Sequence, residues 1–504
     1  MANKIDSNVT GLRFAEEASL KTLPGSPIWY PLEPNTYSDF GGELKTVARS
    51  PISQTRQRKK GVVTDLDASG GFNQDLTFNN SNRLLQGFFF AAMREKPTNL
   101  PLNGTAVPCT SVTGSTHKYN FGADPGAFIT GHMLLASGFG VSTNNGLKVV
   151  ATTDADDITL AAGLADEGSP PATAKLETVG FQFQAAEASI VLSGALARLT
   201  VTTTDMTTLG LLVGEWVFLG GDVTANRFVN NTGWARIGAI TATYLQFDKT
   251  DFTPTTEAAT GLTIQMFFGN VLRNEFDPTL ITRRTVQLER TLGNDANGVM
   301  SEYLVGAVAN ELTVNVAQAD KVTIDMTFVA LDNEQRSGTT GVKAGSRPTI
   351  VAADAYNTSS DFSRIKLASV DAASSTTAAL FAYATELKLT LNNGVTPNKA
   401  IGTLGGFDTS AGNFEVGGSL EVYFADVAAV QAVRNNADIT LDMVLVKQNK
   451  GLLFDIPLLS LGGGRLKVEA NQPIKLPLES SAAESAAGYT LLFNSFPYLP
   501  SIAA

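Results

Sequence analysis

KVTIDMTF at residues 321–328 alternates apolar with polar side chains, and ELTVNV at residues 311–316, just before it, does the same. The alternation recurs in TVQLER at 285–290 and in ELKLTL at 386–391. A period of two places every second side chain on the same face of an extended strand, so each segment predicts a strand with one buried and one polar face. Turns rich in Asn, Asp and Gly, such as residues 294–298, separate these segments. The sequence therefore predicts a mainly β protein.

Two short segments carry helix signals instead. The first helix is predicted to begin with Ser81 as N-cap and to continue past Phe88, Phe89 and Phe90 to Arg94. Three consecutive side chains cannot all face one side of a helix, so we expect two of these rings in the core and one at a contact between subunits. The second helix is predicted to begin at Asp426.

The strand pattern is duplicated within the chain. The segments are 286–289, 303–305, 312–316 and 322–328 in the first copy and 439–442, 453–456, 466–470 and 474–478 in the second. The first and last segments begin 36 residues apart in the first copy (Val286 to Val322) and 35 apart in the second (Ile439 to Ile474). Such a conserved spacing is typical of a repeated structural unit, so the chain is predicted to contain one domain twice.

The first copy is interrupted by a long insertion. Phe72 precedes Val286 by 214 residues, whereas the corresponding Phe414 precedes Ile439 by only 25. The difference, 214 − 25 = 189 residues, spans roughly positions 96–283. The first domain is therefore predicted to be discontinuous in sequence.

The insertion itself contains a second repeat. Residues 131–160 and 214–247 share the order strand, Asn/Gly turn, strand, turn, strand, which predicts a lobe of two similar β modules. The resulting division is a first domain at 1–125 completed by 269–345, an inserted lobe at 126–268 and a second domain at 346–504.

Composition excludes several classes of function. The chain has 504 residues with one Cys and two His, which cannot assemble a structural zinc site, an iron–sulfur site or a disulfide framework. No apolar stretch approaches the ~18 residues of a spanning helix. A formal charge of −11 disfavours tight binding of nucleic acid, which requires clustered Lys and Arg. No motif for catalysis, a cofactor or a metal is present, so we expect no enzyme.

The order of these elements resembles a known family. A polar loop, a Gly-rich turn, a Phe-bearing strand and a short helix lead to LERT (288–291), EYLVGAVANELTVNV (302–316) and KVTIDMTF. The second copy supplies GNFEVGGSLEVYFADVAAV (412–430) and ITLDMVL (439–445). This pattern is similar to the tail tube (major tail) proteins of long-tailed, non-contractile bacteriophages, in the type that carries two tube domains. The resemblance covers about residues 35–95 and 284–500.

The resemblance implies a fold, an assembly and a location. It implies two tandem tube domains of β-sandwich or barrel type, each with a flanking helix, in addition to the inserted all-β lobe. Six such domains would form a ring around a lumen, so three chains would give pseudo-sixfold symmetry, and rings would stack into a conduit for genome ejection. The implied location is the virion tail, after synthesis in the host cytoplasm. The implied partners are further copies of the chain, other tail proteins at the tube ends and viral DNA that passes without specific binding, with no membrane and no cofactor.

The resemblance also suggests a role for two loops. Arg56, Arg58, Lys59 and Lys60 form the densest basic run, which is either a solvated loop or the loop that reaches the next ring. The corresponding loop of the second copy contains Thr396, Pro397, Asn398 and Lys399 and carries less charge. We further expect an acidic and small-polar lumen, because a basic one would hold DNA. The alternative function is another virion structural protein built of β modules, such as a decoration, baseplate or adhesin protein.

Overall fold

The computed structural model describes residues 5–504 except 53, 56, 80, 81, 296, 297, 377, 378 and 382. Arg56 of the basic run and the predicted N-cap Ser81 lie outside the described residues. The part before the insertion contains β1 Gly11–Glu16, β2 Tyr30–Leu32, β3 Pro34–Arg49, β4 Lys59–Asp75 and helix α1 Asn82–Phe89.

The insertion contributes thirteen described strands. They are β5 Cys109–Thr113, β6 Lys118–Phe121, β7 His132–Ser137, β8 Gly146–Thr153, β9 Asp157–Leu160, β10 Lys175–Gln182, β11 Ser189–Ser193, β12 Leu196–Thr200, β13 Trp216–Leu219, β14 Gly233–Ile240, β15 Tyr244–Thr250, β16 Glu257–Ala258 and β17 Gln265–Phe267.

The rest of the chain returns to the main sheet. Its elements are β18 Asn270–Arg273, β19 Val286–Asp295, β20 Gly298–Ala317, β21 Thr323–Ala330, β22 Asp332–Arg336, β23 Phe362–Ser369, β24 Ala384–Asn392, β25 Thr396–Asn398, β26 Asp408–Ser410, β27 Glu415–Tyr423, α2 Ala428–Arg434, β28 Ile439–Lys447, β29 Lys450–Gly463, β30 Lys475–Ala482 and β31 Leu492–Phe496. The prediction of a mainly β protein is confirmed.

Eight antiparallel strands form the central surface of the molecule, which we call the platform. Its order is β3-β4-β21-β20-β24-β27-β30-β29. The first copy supplies the first four strands and the second copy the last four. The copies meet where β20 pairs with β24, from Glu311 opposite Asn392 to Ala317 opposite Glu386. One sheet therefore runs without interruption from one copy into the other.

The alternation seen in the sequence creates the two faces of the platform. Val314 lies between Ile324 of β21 and Leu389 of β24, and all three side chains are buried. Both helices pack on this apolar face, α1 through residues such as Phe88 and α2 through residues such as Ala429. The alternate side chains form the opposite, polar face.

Both helices are shorter than the sequence suggested. The first was expected to run to Arg94, but it ends at Phe89 because Phe90 adopts a left-handed conformation with φ 49°. The buried Gln86 side chain closes the following turn, where its Oε1 accepts a hydrogen bond of 2.9 Å from the N–H of Met93. In the second helix the Asp426 carboxylate accepts a hydrogen bond of 2.7 Å from the N–H of Ala428.

The four-strand series differs from the prediction at two places. In the first copy, segments 303–305 and 312–316 belong to the single long strand β20. In the second copy, segment 466–470 is not a strand and makes one isolated bridge, Lys467 to Lys475. Gly463 and Gly464, with φ values of 80° and 83°, turn the backbone out of the extended conformation there.

The insertion forms a separate sheet with two hydrophobic cores. One core gathers apolar residues between Cys109 and Leu176, and the other gathers residues between Phe181 and Phe268. The sheet begins at β5, so it also takes in residues that the sequence division placed in the first domain.

Candidate functional surfaces

The polar face of the platform is strongly acidic. Where strands β4, β21, β20, β24, β27 and β30 pair with one another, they contribute seven carboxylates and two lysines to this face, namely Asp75, Glu311, Asp325, Glu386, Glu415, Glu421, Glu479, Lys388 and Lys475. Each of these side chains alternates with a core residue of the same strand. Thr, Asn and Ser occupy most of the remaining positions, so this face is both acidic and small-polar.

Hydrogen bonds and ion pairs hold several of these carboxylates in place. Glu421 accepts hydrogen bonds of 2.6 Å from Lys467 and 2.7 Å from Lys475, which lower the pKa of Glu421 to about 2. The Asp325 carboxylate instead accepts amide hydrogen bonds from Asn73 and Asn315, at 2.7 and 2.6 Å. Neutral donors leave the negative charge of Asp325 uncompensated.

Each end of the platform has an open edge. Among the described strands, β3 pairs with β4 alone. At the other end, Gly462 and Gly463 of β29 pair with β30 on one side and with no described strand on the other. The corresponding part of β20 is paired on both sides, with β21 and β24. The chain thus presents two unpaired backbone edges of the kind that recruits another strand.

The hairpin of β3 and β4 projects beyond the platform. Its outer half is exposed, and Arg58, Lys59 and Lys60 lie at its tip together with the fully exposed Ile52. The described part of the predicted basic run is therefore a surface feature at the end of a long two-stranded arm.

The loop of the second copy takes a different course. Thr396, Pro397 and Asn398 form the short strand β25, and Lys399 binds the first hairpin through Asp65 at 2.7 Å and through Asp67. The loop of the second copy is thus in contact with strand β4 of the first hairpin. Beyond Lys399, the loop exposes a second isoleucine, Ile401, completely.

The three consecutive phenylalanines lie where the two copies meet. Phe88 packs edge-on against Phe328, with ring centroids 5.3 Å apart, and Phe89 packs against Phe414 of the second copy at 6.0 Å. The buried Asn393 amide donates to the carbonyl oxygen of Phe88 at 2.9 Å. Phe90 is partly exposed, and its role at a contact between subunits stays a prediction.

A buried charge cluster attaches the inserted lobe to the second copy. Arg236 binds Asp455 of β29, and Lys249 binds Asp442 of β28, all four side chains being nearly or fully inaccessible. Arg364 of β23 also binds Asp442. The sequence analysis missed this cluster, although each Asp is a lone charge within an apolar strand, ITLDMVLV (439–446) and GLLFDIPLL (451–459).

Apolar packing surrounds the cluster. Trp216 and Trp234 of the lobe share one core with Val444, Leu453 and Phe496 of the second copy. The lobe is therefore inserted into the first copy in sequence but is packed against the second.

The single cysteine and one of the two histidines are buried. Burial raises the pKa of Cys109 to about 11, and burial followed by the charge of Lys96 lowers the pKa of His132 to about 4. In the part of the chain that the structure describes, no three His, Cys, Asp or Glu side chains are grouped to hold a metal ion. No described helix is long and apolar enough to cross a membrane.

A mainly β chain with an acidic sheet face, two open sheet edges and a projecting basic hairpin has the features of a self-assembling structural protein. A family model described as phage tail tube protein matches residues 7–482, nearly the whole chain. The chain therefore belongs to the phage tail tube protein family and is a structural protein of the bacteriophage virion. No curated protein matches the sequence.

Proposed function

We propose that this chain is the subunit of a non-contractile phage tail tube, in which three chains close a pseudo-sixfold ring and stacked rings conduct the genome. The observation that carries the proposal is the pairing of β20 with β24. This pairing joins β20 of the first copy to β24 of the second. The corresponding edges, Gly462 and Gly463 of β29 in the second copy and β3 in the first, have no described partner on their outer sides. A surface that pairs head to tail generates a ring when its rotation closes.

The registers indicate which residues would meet between chains. Met326 and Leu478 hold corresponding positions in the two copies, and they pair with Leu312 and Gly463. Gly462–Val468 therefore corresponds to 311–317 of β20. Phe72 pairs with Met326 and Leu420 pairs with Leu478, so the strand registers match Phe72 to Leu420, six residues after the Phe414 that the sequence repeat matched to it. Tyr37, the partner of Phe72, then corresponds to Leu387, the partner of Leu420.

The expected contact between chains follows directly. Gly462–Val468 of one chain pairs with residues 36–43 of the next, as 311–317 pairs with 386–392 within one chain, and the irregularity of β3 between Ser38 and Gly41 accommodates the extra residue. Val468 then lies opposite Thr36, just as Ala317 lies opposite Glu386. Residues 466–468 of the predicted segment 466–470 would become a strand once a neighbouring chain supplies a partner for them.

Cysteine cross-linking tests this arrangement. Under non-reducing conditions, the T36C/V468C variant is expected to give a ladder of cross-linked species that ends at three chains, the number in the proposed ring. The native Cys109 is buried and should not add cross-links of its own. The A317C/E386C variant is the matched control, since its cysteines are opposite each other within one chain and should give no ladder. A ladder ending at six chains, or no cross-linking in assembled protein, would contradict a ring of three.

The acidic platform face supports a role as the lumen wall. Closing the ring turns one face of the continuous sheet towards the axis. The apolar face is covered by α1 and α2, so the polar face is the one left to line the lumen. An acidic wall repels the phosphate backbone, so DNA would pass through without being held. Electron microscopy of purified protein separates the alternatives, since tubes support this function whereas particles that never stack favour a decoration, baseplate or adhesin protein.

A further inference from the structure

A lysine and an aspartate are in direct contact in the interior, where the inserted lobe packs against the second copy. Lys249 of β15 binds Asp442 of β28, and 3% of the lysine side chain and none of the aspartate side chain is exposed. The Lys249 nitrogen also donates to the hydroxyl of Thr440 at 3.2 Å and lies 5.8 Å from the centre of the Trp216 ring. A primary amine is thus held against one carboxyl group in a site that solvent does not reach.

The surroundings of Lys249 favour its uncharged form. Burial lowers the pKa of Lys249 more than the negative charge of Asp442 raises it, and the positive charge of Arg236 lowers it further. An uncharged amine has the free electron pair that a nucleophile requires. In the more exposed pair of Lys118 and Asp157, by contrast, the hydrogen bond to the carboxylate raises the pKa of the lysine.

The surroundings of Asp442 suit an acceptor for this amine. Arg364 donates to both of its carboxylate oxygens, to one through Nε and to the other through Nη2 at 3.5 Å, so it can stabilise the negative charge that grows on oxygen during attack. Asp455 lies opposite Asp442 in the pairing of β28 with β29, which places the two Cβ atoms about 4.5–5.5 Å apart. Burial raises the pKa of Asp455, so this carboxylate can take up a proton and release it again.

We propose that Lys249 and Asp442 condense to an isopeptide bond that joins the inserted lobe covalently to the second copy. Nζ of Lys249 attacks Cγ of Asp442, a C–N bond forms, a C–O bond breaks, and the oxygen departs as water. The ion pair supplies all of this water, two protons from the ammonium and one oxygen from the carboxylate, so no oxidant or co-reactant is required. Asp455 carries protons from the nitrogen to the departing oxygen and ends in the state in which it began.

Both the rate and the equilibrium of this step gain from the fold. The contact between the two groups replaces a bimolecular encounter with a reaction between groups already in place. Condensation also replaces two buried charges with a neutral amide, which removes the desolvation cost of the ion pair.

The intact mass of the denatured wild-type chain tests the proposal directly. We expect a mass lower than that of the unmodified sequence by one water molecule. Trypsin should then release residues 237–273 joined to residues 435–447, because an acylated Lys249 is no longer a cleavage site. An unmodified mass, or a bond located at another pair such as the buried Lys96 and Glu215, would overturn the assignment.

Variants identify the reacting groups. Lys249→Arg keeps a positive charge beside Asp442 but removes the nucleophile, so its chain should keep the unmodified mass and lose the joined peptides. Lys118→Arg is the matched control, since 35% of the Lys118 side chain is exposed, and this variant should lose one water as the wild type does. Loss of water from the Lys249→Arg chain would contradict the proposal.

The role of Asp455 has its own test. Asp455→Asn removes the proton carrier, so the loss of water should be slower when the mass is followed at intervals after synthesis. A bond that forms as fast as in the wild type would overturn this role. The bond lies within one chain, so these results are independent of whether rings and tubes assemble.

Discussion

Arg236 of the inserted lobe and Asp455 of strand β29 form an ion pair of 3.2 Å in the interior, where 8% of one side chain and none of the other is exposed. The guanidinium also binds Asp248 at 2.9 Å, and the hydroxyl of Tyr489 donates to the Asp455 carboxylate at 3.3 Å. A segment inserted into the first copy in sequence is thus attached to the second copy by a buried ion pair.

Removal of one partner of this pair should be costly. Asp455→Ala is expected to lower the free energy of unfolding by about 3–5 kcal/mol, because Arg236 would keep a buried charge without its main partner. Asp408→Ala, which breaks the exposed pair with Arg283, should cost less than about 1 kcal/mol. Urea unfolding of both variants measures the difference, and equal losses would show that the buried pair has no special weight.

Asn393 should be important to the contact between the copies. Its amide donates to the carbonyl oxygens of Phe88 at 2.9 Å and Ala309 at 3.2 Å, and its side chain is buried. Asn393→Ala removes a hydrogen bond from each of these buried acceptors and is expected to cost about 1–3 kcal/mol. Asn398→Ala, in the exposed part of the same loop, is the control, and thermal unfolding that does not distinguish the two variants would contradict this role.

Protonation of His132 is expected to lower the stability of the folded protein in weak acid. Its pKa is lowered to about 4 by burial and by Lys96, so the folded protein holds the neutral imidazole. The contribution of His132 is complete above the unfolded pKa of about 6.5 and declines as pH falls from there to about 4, by up to ~3 kcal/mol. His132→Asn should flatten this part of the stability profile, as measured by urea unfolding at several pH values. A variant that keeps the wild-type slope would assign the acid sensitivity to other groups.

The acidic face predicts weak interaction with DNA. Replacing Glu311, Glu415 and Glu479 with Lys should leave tube formation intact while making tubes retain short duplex DNA at 50 mM salt and release it at 200 mM. Co-sedimentation measures retention. Three Lys substitutions of exposed carboxylates on the lobe, at Asp154, Asp156 and Asp166, are the control for added charge alone. DNA retained equally by both variants would argue against this face as the lumen wall.

Local pattern accounts for most of the platform. Alternation in segments such as 321–328 and 386–391 predicted strands whose buried residues the structure places in one core, because a sheet with one face in water imposes a period of two. Segment 466–470 has a similar pattern, but among the described residues its pairing is limited to the bridge between Lys467 and Lys475. Sequence shows that a strand can form, and pairing decides whether it does.

The attachment of the lobe could not be predicted in the same way. The repeat identified an insertion, but the position of an insertion in sequence does not determine which surface it covers. Asp442 and Asp455 gave a signal, since lone carboxylates in apolar strands need partners. Their partners, Lys249 and Arg236, lie about 200 residues away, at 193 and 219 positions, and no local pattern connects them.

Because the first copy is discontinuous in sequence, its paired strands are synthesised at widely separated times. Strand β4 ends at Asp75, and its partner β21 begins at Thr323, 248 positions later (323 − 75). At ~5–20 residues per second, a ribosome needs roughly 12–50 s to produce that partner. All thirteen strands of the lobe sheet leave the ribosome within this interval, between Cys109 and Phe267. The lobe can therefore fold before β21 has been synthesised. During this interval the apolar side of the long β3–β4 hairpin is still uncovered.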